Sequence, residues 1–217
     1  AESTLNEAIK ATDSGFLRDK NNPKVPLIAN IISYSRNTLG SIGDTIRAKY
    51  PYLEEKIDPI NRFADRYTLL KRTRGLCDYD DLLELWLELL RKNPVVTEAL
   101  AAKFEHVLVD EYQDTNALQS AIIDLMAPHH RVMAVGDDAQ CIYTWRGAEV
   151  ENILTFPERH PGTQIYKIEL NYRSTPPILG LANSVFTSSA KQFEKTLRPV
   201  RQGSLKPQIV PVVDGRG

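Results

Sequence analysis

The chain has 217 residues, 42% of them hydrophobic and 25% charged, with a net charge of −1. These values fit a soluble globular protein of one large or two small domains and argue against a simple polycationic nucleic-acid binder. No apolar run approaches the ~20 residues that span a bilayer, no secretory leader pattern opens the chain, and Cys77 and Cys141 match no metal spacing, so a cytoplasmic protein with no membrane partner is expected.

Residues 1–75 read as helical throughout. Ser3 is placed to cap a first helix that runs to about Ala11. Leu27, Ile28, Ile31 and Ile32 form an apolar stripe in a second. Asp58 followed by Pro59 suits the start of a third, as N-cap and first helical residue. Ile60, Phe63, Ala64, Tyr67 and Leu70 then repeat at three and four, and Gly75 is a C-terminal stop. This front holds 13 Lys/Arg against 9 Asp/Glu, whereas the remainder holds 14 against 19. The run Lys71, Arg72, Thr73, Arg74 either complements the helix dipole or touches DNA; the two readings weigh equally.

Asp78 opens another helix, with Leu82, Leu83, Trp86, Leu89 and Leu90 turned inward and Pro94 ending it. Trp86 at helical spacing reads as core. Residues 107–109 are three apolar β-formers, the pattern of a parallel strand covered on both faces. They run into Asp110 and Glu111. Ligands of open α/β sheets sit beyond such strand ends. There Asp110 can hold Mg²⁺ through its water shell, and Glu111 can orient and deprotonate a water attacking a γ-phosphate. A solvated acidic turn is the plain alternative. A helix follows from Leu118 to Met126, with Leu118, Ile122 and Leu125 inward.

Residues 131–135 read as a second buried strand and residues 165–170 as a third. Gln140, just past the second, can donate to a γ-phosphate or attacking water without changing charge. Tyr143, Trp145 and Arg146 form an aromatic and cationic group on which unpaired bases stack; a buried Trp in a short loop is the alternative. Gly147 suits a tight, exposed turn. Tyr172 and Arg173 follow the third strand, where a guanidinium can stabilise a transferring phosphate or simply anchor the strand end in a salt bridge. Ser174 or Thr175 caps a last helix, and residues 208–213 have the composition of a further strand.

Three segments then stand in order: DEYQDT at residues 110–115, GDDAQCIYTWRGA at 136–148 and LNYRST at 170–175. The chain resembles the UvrD/Rep/PcrA family of superfamily 1 DNA helicases at all three. YDDLL at residues 79–83 is similar to a shorter family element. The resemblance is dense from about Leu76 to Phe186 and looser before it. It implies a helix-rich α/β fold, with part of a RecA-like parallel sheet and an inserted all-helical subdomain. Residues 1–75 would be that insertion. Residues 76–200 would be the C-terminal half of the first motor domain, and 201–217 the linker and start of the second.

The resemblance implies ATP and Mg²⁺ as cofactors, and single-stranded DNA and a duplex junction as partners. It makes Asp110 the magnesium and nucleotide ligand, and Glu111, Gln140 and Arg173 catalytic. Gln140, Tyr172 and Arg173 would bind nucleotide, Tyr172 by stacking on the adenine. Tyr143, Trp145 and Arg146 would bind DNA. Movement would be 3′→5′, in repair or replication and with proteins of those processes.

One family element is missing. Nothing matches the P-loop pattern G-x-x-x-x-G-K-[ST], and the glycine pair nearest to it, Gly40 and Gly43, is followed by Asp44. The chain therefore reads as a central fragment, inactive alone. Two other readings stay open: a non-catalytic DNA-binding or interaction module, and the motor subunit of a helicase–nuclease complex.

Overall fold

Apolar spacing in the front of the chain produces four α-helices: α1 (Glu2–Thr12), α2 (Val25–Asn37), α3 (Ile42–Lys49) and α4 (Ile57–Thr73). The computed structural model describes residues 2–129, 131–142, 147, 150–187 and 192–211. Among these, no strand precedes Val107. Leu5, Ala8 and Ile9 of α1 and Ile28, Ile31 and Ile32 of α2 meet Ile60, Phe63 and Tyr67 of α4 in one buried cluster. Phe16 closes it, edge-on to Phe63 with ring centroids 4.8 Å apart.

Two expected helix starts move. The first helix begins at Glu2, so Ser3 lies inside it. The third expected helix begins at Ile57, because a 3₁₀ turn over Pro51–Lys56 delivers Ile57 already in helical geometry. Gly75 does stop α4, at φ 62°, where a side chain would be strained.

Helix α5 (Tyr79–Lys92) starts at a full capping box: Asp78 accepts the Asp81 N–H and Asp81 accepts the Asp78 N–H. Its buried side centres on Leu87 and Leu90, with Leu83 and Trp86 partly covered. Leu82, at 56% exposure, and Leu89 lie off that side and face out. The helix ends at Lys92, and Pro94 then opens α6 (Pro94–Lys103) at a position that needs no N–H.

Buried ions join this helix to the front. Lys71 is 4% exposed, and its ammonium lies 2.5 Å from Asp78 and 2.6 Å from Asp81. Arg36 of α2 reaches Asp81 at 2.6 Å and Glu84 at 2.7 Å, and the Tyr67 hydroxyl donates to Asp78 at 2.8 Å. Arg74 pairs with Glu7. Lys71 and Arg74 are thus engaged within the protein, which removes Lys71 from the DNA-contact reading of the basic run. Burial disfavours the Asp78 anion, but hydrogen bonds from Lys71, the Asp81 N–H and Tyr67 prevail and hold its carboxyl down at about 2. A carboxyl depressed on folding stabilises the protein fully above its ordinary value near 4, and that contribution drains away as pH falls towards 2. Lys71→Met should destabilise the fold by about 3–5 kcal/mol, because it leaves acidic groups buried without their cation. Denaturant unfolding checks this, and a loss under 1 kcal/mol would mean the cluster is solvated.

Beyond α6 come β1 (Val107–Val109), α7 (Ala117–Met126) and β2 (Val132–Ala134). The strands pair in parallel, Val107 opposite Val132 and Val109 opposite Ala134. Asn116 and Gln119 form a second capping box at the start of α7. Leu118 and Ile122 of α7 pack on Leu87 and Leu90 of α5, and on one face of the strand pair Val107, Val109, Val132 and Ala134 are partly buried. The other face is open: Leu108 is 72% and Met133 57% exposed. The expected two-sided burial is therefore not met, since the described residues put no layer on that side. These elements belong to a unit of residues 1–153.

The second unit, residues 154–217, begins at the last residue of α8 (Val150–Leu154) and contains α9 (Phe156–Arg159), β3 (Leu170–Asn171), α10 (Pro176–Phe186) and β4 (Arg198–Pro199). Most of the expected third strand is unpaired. Only Leu170 and Asn171 form a ladder, in parallel with Arg198 and Pro199 rather than with β2. The Arg198 and Val200 amides donate to Glu169 and Asn171, and Pro199 between them has no N–H to give. Thr175 is the N-cap of α10 by position, without a side-chain cap bond. Residues 208–211 carry no strand, and 212 and 213 lie outside the described residues. Both thiols are free, Cys77 exposed and Cys141 partly buried. No helix among the described residues is long and apolar enough to cross a membrane.

Candidate nucleotide site at the strand ends

The ladder fixes the carboxylates. The Val135 N–H donates to Val109 at 2.8 Å, and the Tyr112 N–H donates back to Val135 at 2.9 Å. Asp110 and Glu111 are the two residues between those anchors. To make the step, Glu111 takes a left-handed conformation, φ 52° and ψ 40°. For a non-glycine residue outside helix and sheet this costs about 1–3 kcal/mol and is held only by surrounding contacts. Tyr112 supplies one, fully buried with its hydroxyl 3.2 Å from Ser120.

Asp110 is exposed. Its Oδ1 accepts the Glu111 N–H at 2.9 Å. Among the described residues no group of three or more His, Cys, Asp or Glu is placed to cage a metal. One exposed carboxylate suits Mg²⁺ nonetheless, since that ion keeps several waters and takes phosphate oxygens alongside one or two carboxylates.

Glu111 does not stand alone. Its Oε2 accepts from Gln113 Nε2 at 2.7 Å. Gln113 Oε1 accepts the Asp137 N–H at 3.0 Å. Asp137 in turn accepts from Gln140 Nε2 at 2.8 Å and from the Ala139 N–H at 3.1 Å. The ends of β1 and β2 are thus laced by side chains, and Gln140 joins Glu111 through two intermediaries. Gly136 permits this approach, because a Cβ there would stand 2.6 Å from Gln113 Oε1 and 2.8 Å from Ile153. Asp114, beside Glu111, has an Oδ1 shielded from solvent with no partner among the described residues. Burial first, and the Glu111 charge second, push its carboxyl up. A hollow of about 380 Å³ opens here, walled by Val109, Glu111, Asp114, Thr115, Gln119 and Ile122 among others.

Gly147 has φ 85°, as a tight turn requires, but it is buried rather than exposed. A Cβ on it would meet Thr38 at 3.1 Å and Asn37 at 3.6 Å. Asn37 also donates to Asp80 at 3.0 Å and accepts from Asn116 at 2.7 Å. The C-terminal end of α2 is therefore braced against the starts of α5 and α7. Tyr143, Trp145 and Arg146 lie outside the described residues.

In the second unit, Tyr172 is 71% exposed and Arg173 is exposed as well. Asn171 Oδ1 accepts the N–H groups of Arg173 at 3.0 Å and Ser174 at 2.8 Å. This Asx turn sets the chain direction at the strand end. Among the described residues no carboxylate is paired with the Arg173 guanidinium, so the salt-bridge reading finds no partner there. Sequence reasoning passed over Gln113, Asn171 and Asn37. Gln113 and Asn171 lay inside motifs already quoted, and Asn37 carried no signal of its own.

Residues 3–161 match the family model described as UvrD/REP helicase N-terminal domain. The chain is 46% identical over 124 residues to DNA helicase II of Rickettsia typhi, covering 57% of this chain and 19% of that protein. To a probable DNA helicase II homolog of Rickettsia felis it is 42% identical over 137 residues, or 63% and 21%. To the ATP-dependent DNA helicase PcrA of Bacillus subtilis it is 34% identical over 188 residues, or 84% and 25%. The chain thus spans about a quarter or less of the length of these relatives.

Proposed function

The chain belongs to the UvrD/REP helicase family, and from that premise we propose that the complete protein is an ATP-dependent DNA helicase or translocase moving 3′→5′ on single-stranded DNA. Its setting is DNA repair or replication in the cytoplasm. Residues 1–75 form the helical insertion of the first motor domain, 76–200 the C-terminal half of its RecA-like sheet, and 201–217 the passage to the second. The observation that carries this reading is the end of β1, where Asp110 and a left-handed Glu111 stand side by side beyond a parallel strand.

In this reading Asp110 would hold hydrated Mg²⁺, which would supply charge neutralisation to the bound triphosphate. Glu111 orients the attacking water and accepts its proton. Gln140 contacts the γ-phosphate after leaving Asp137. Arg173 stabilises the separating phosphate, and Tyr172 stacks on the adenine. Tyr143, Trp145 and Arg146 receive unpaired bases at the far end of the segment that Gly136 begins.

The 217 residues alone contain no P-loop to hold phosphates in register. The purified chain should therefore show no DNA-stimulated ATP hydrolysis above a Glu111→Gln control. Clear turnover that this substitution abolishes would contradict the proposal.

Trp145→Ala in the complete protein should weaken single-stranded DNA binding by ~1–3 kcal/mol, one stacking energy. The loss should be alike across base sequences, because stacking reads a π-face and not a donor pattern. Anisotropy titrations with several homopolymers test it. Unchanged DNA affinity together with earlier melting would make Trp145 a core residue.

A further inference from the structure

Gln113 is 1% exposed, yet it is a polar side chain placed between two strand ends. The orientation of its amide is forced. The Asp137 backbone N–H is a donor only, so it must face Oε1, which leaves Nε2 to face Glu111. The Glu111 carboxylate oxygen accepts from Nε2, so both polar atoms of the amide are matched. No other uncharged side chain of that length offers a donor at one end and an acceptor at the other. Gly136 clears the space, since any Cβ there would lie 2.6 Å from Gln113 Oε1 and 3.2 Å from the Gln113 backbone nitrogen.

Asp137 opens the turn that carries Gln140 and leads on to residues 143–146. Its N–H is tied to Gln113 and its carboxylate to Gln140. A shift of the Glu111 side chain on meeting a nucleotide therefore has a short route to this turn through the buried Gln113 amide. A side chain in water would dissipate such a shift; one with both hydrogen bonds made in the interior must either follow Glu111 or lose a partner.

Resting on the reading of β1 as the nucleotide end, we propose that Gln113 is a positioning residue that couples nucleotide occupancy at Glu111 to the turn leading to the DNA-binding residues. It touches neither nucleotide nor DNA. Its effect is on the coupling between the two ligands and not on the affinity for either alone.

The test uses the complete protein, with Gln113→Met, which keeps length but removes both hydrogen bonds, and Gln113→Asn, which stays neutral but whose shorter amide cannot span both Glu111 and the Asp137 N–H. Affinity for an oligo-dT strand is measured with and without a non-hydrolysable ATP analogue and Mg²⁺. In the parent the analogue should change DNA affinity severalfold, and DNA should change analogue affinity by the same factor. In both variants that factor should fall to within about twofold of unity while each ligand binds alone within about threefold of the parent. Should Gln113→Met fail to fold, the smaller, neutral Gln113→Asn carries the measurement. A variant that keeps the parental factor overturns the proposal, and earlier melting with the factor intact makes Gln113 a brace only. A parent with no such factor sinks the nucleotide and DNA reading itself, and this proposal with it.

Discussion

Glu111→Gln in the complete protein is expected to lower single-turnover ATP hydrolysis by about 10²–10⁴-fold while ATP and Mg²⁺ still bind. The substitution preserves size and can keep a contact with Gln113. It removes the group that takes a proton from the attacking water. The left-handed backbone at Glu111 supports a large effect, since strain of this kind persists where surrounding structure holds one side chain in one place. Asp110→Asn should behave differently. Asp110 is proposed to act through the ion, so its loss should show first as weaker Mg²⁺-dependent nucleotide binding. Single-turnover hydrolysis beside nucleotide titration separates the two patterns.

Arg173→Ala should reduce turnover still further, by about 10³–10⁵-fold, with a smaller loss of nucleotide affinity. A guanidinium that meets the phosphate as it separates contributes mainly to the transition state, so the loss appears in kcat more than in binding. Its surroundings favour that role over a structural one. The side chain is exposed, and the Asn171 side chain that sets the turn bonds the Arg173 backbone N–H and leaves its guanidinium out of the contact. Arg173→Lys should recover little, because an ammonium lacks the planar two-pronged donor set. Near-parental hydrolysis with a lower melting temperature would return Arg173 to strand anchoring.

Features carried by near neighbours were legible in the sequence. The Asp78 cap needs only Asp81 three residues on, and the strand ends at Asp110 and Gly136 follow from apolar runs meeting polar ones. Contacts between distant segments were not legible. Lys71 sits in a basic run that looked superficial, but its burial is decided by Asp78 and Asp81 folding back over the end of α4. Gln113 looked like one letter of a motif until the Asp137 amide was found against it. The expected strand at 165–170 has the right residue types, yet pairing depends on a partner, and β4 offers only Arg198 and Pro199. Likewise Leu108 fits a strand buried on both sides, yet it is 72% exposed. The alternation of Leu82 and Leu83 shows the same limit: helical spacing marks apolar faces but does not say which one a neighbour will cover.

The central claim is that the end of β1 is the chemical centre of a DNA-stimulated ATPase. The most direct measurement is steady-state ATP hydrolysis by the complete protein, with and without single-stranded DNA, for the parent and for Glu111→Gln. The predicted result is hydrolysis that DNA raises strongly in the parent and that the substitution removes in both conditions. Binding of DNA with no stimulated turnover in the parent, or equal turnover in the two proteins, would contradict it.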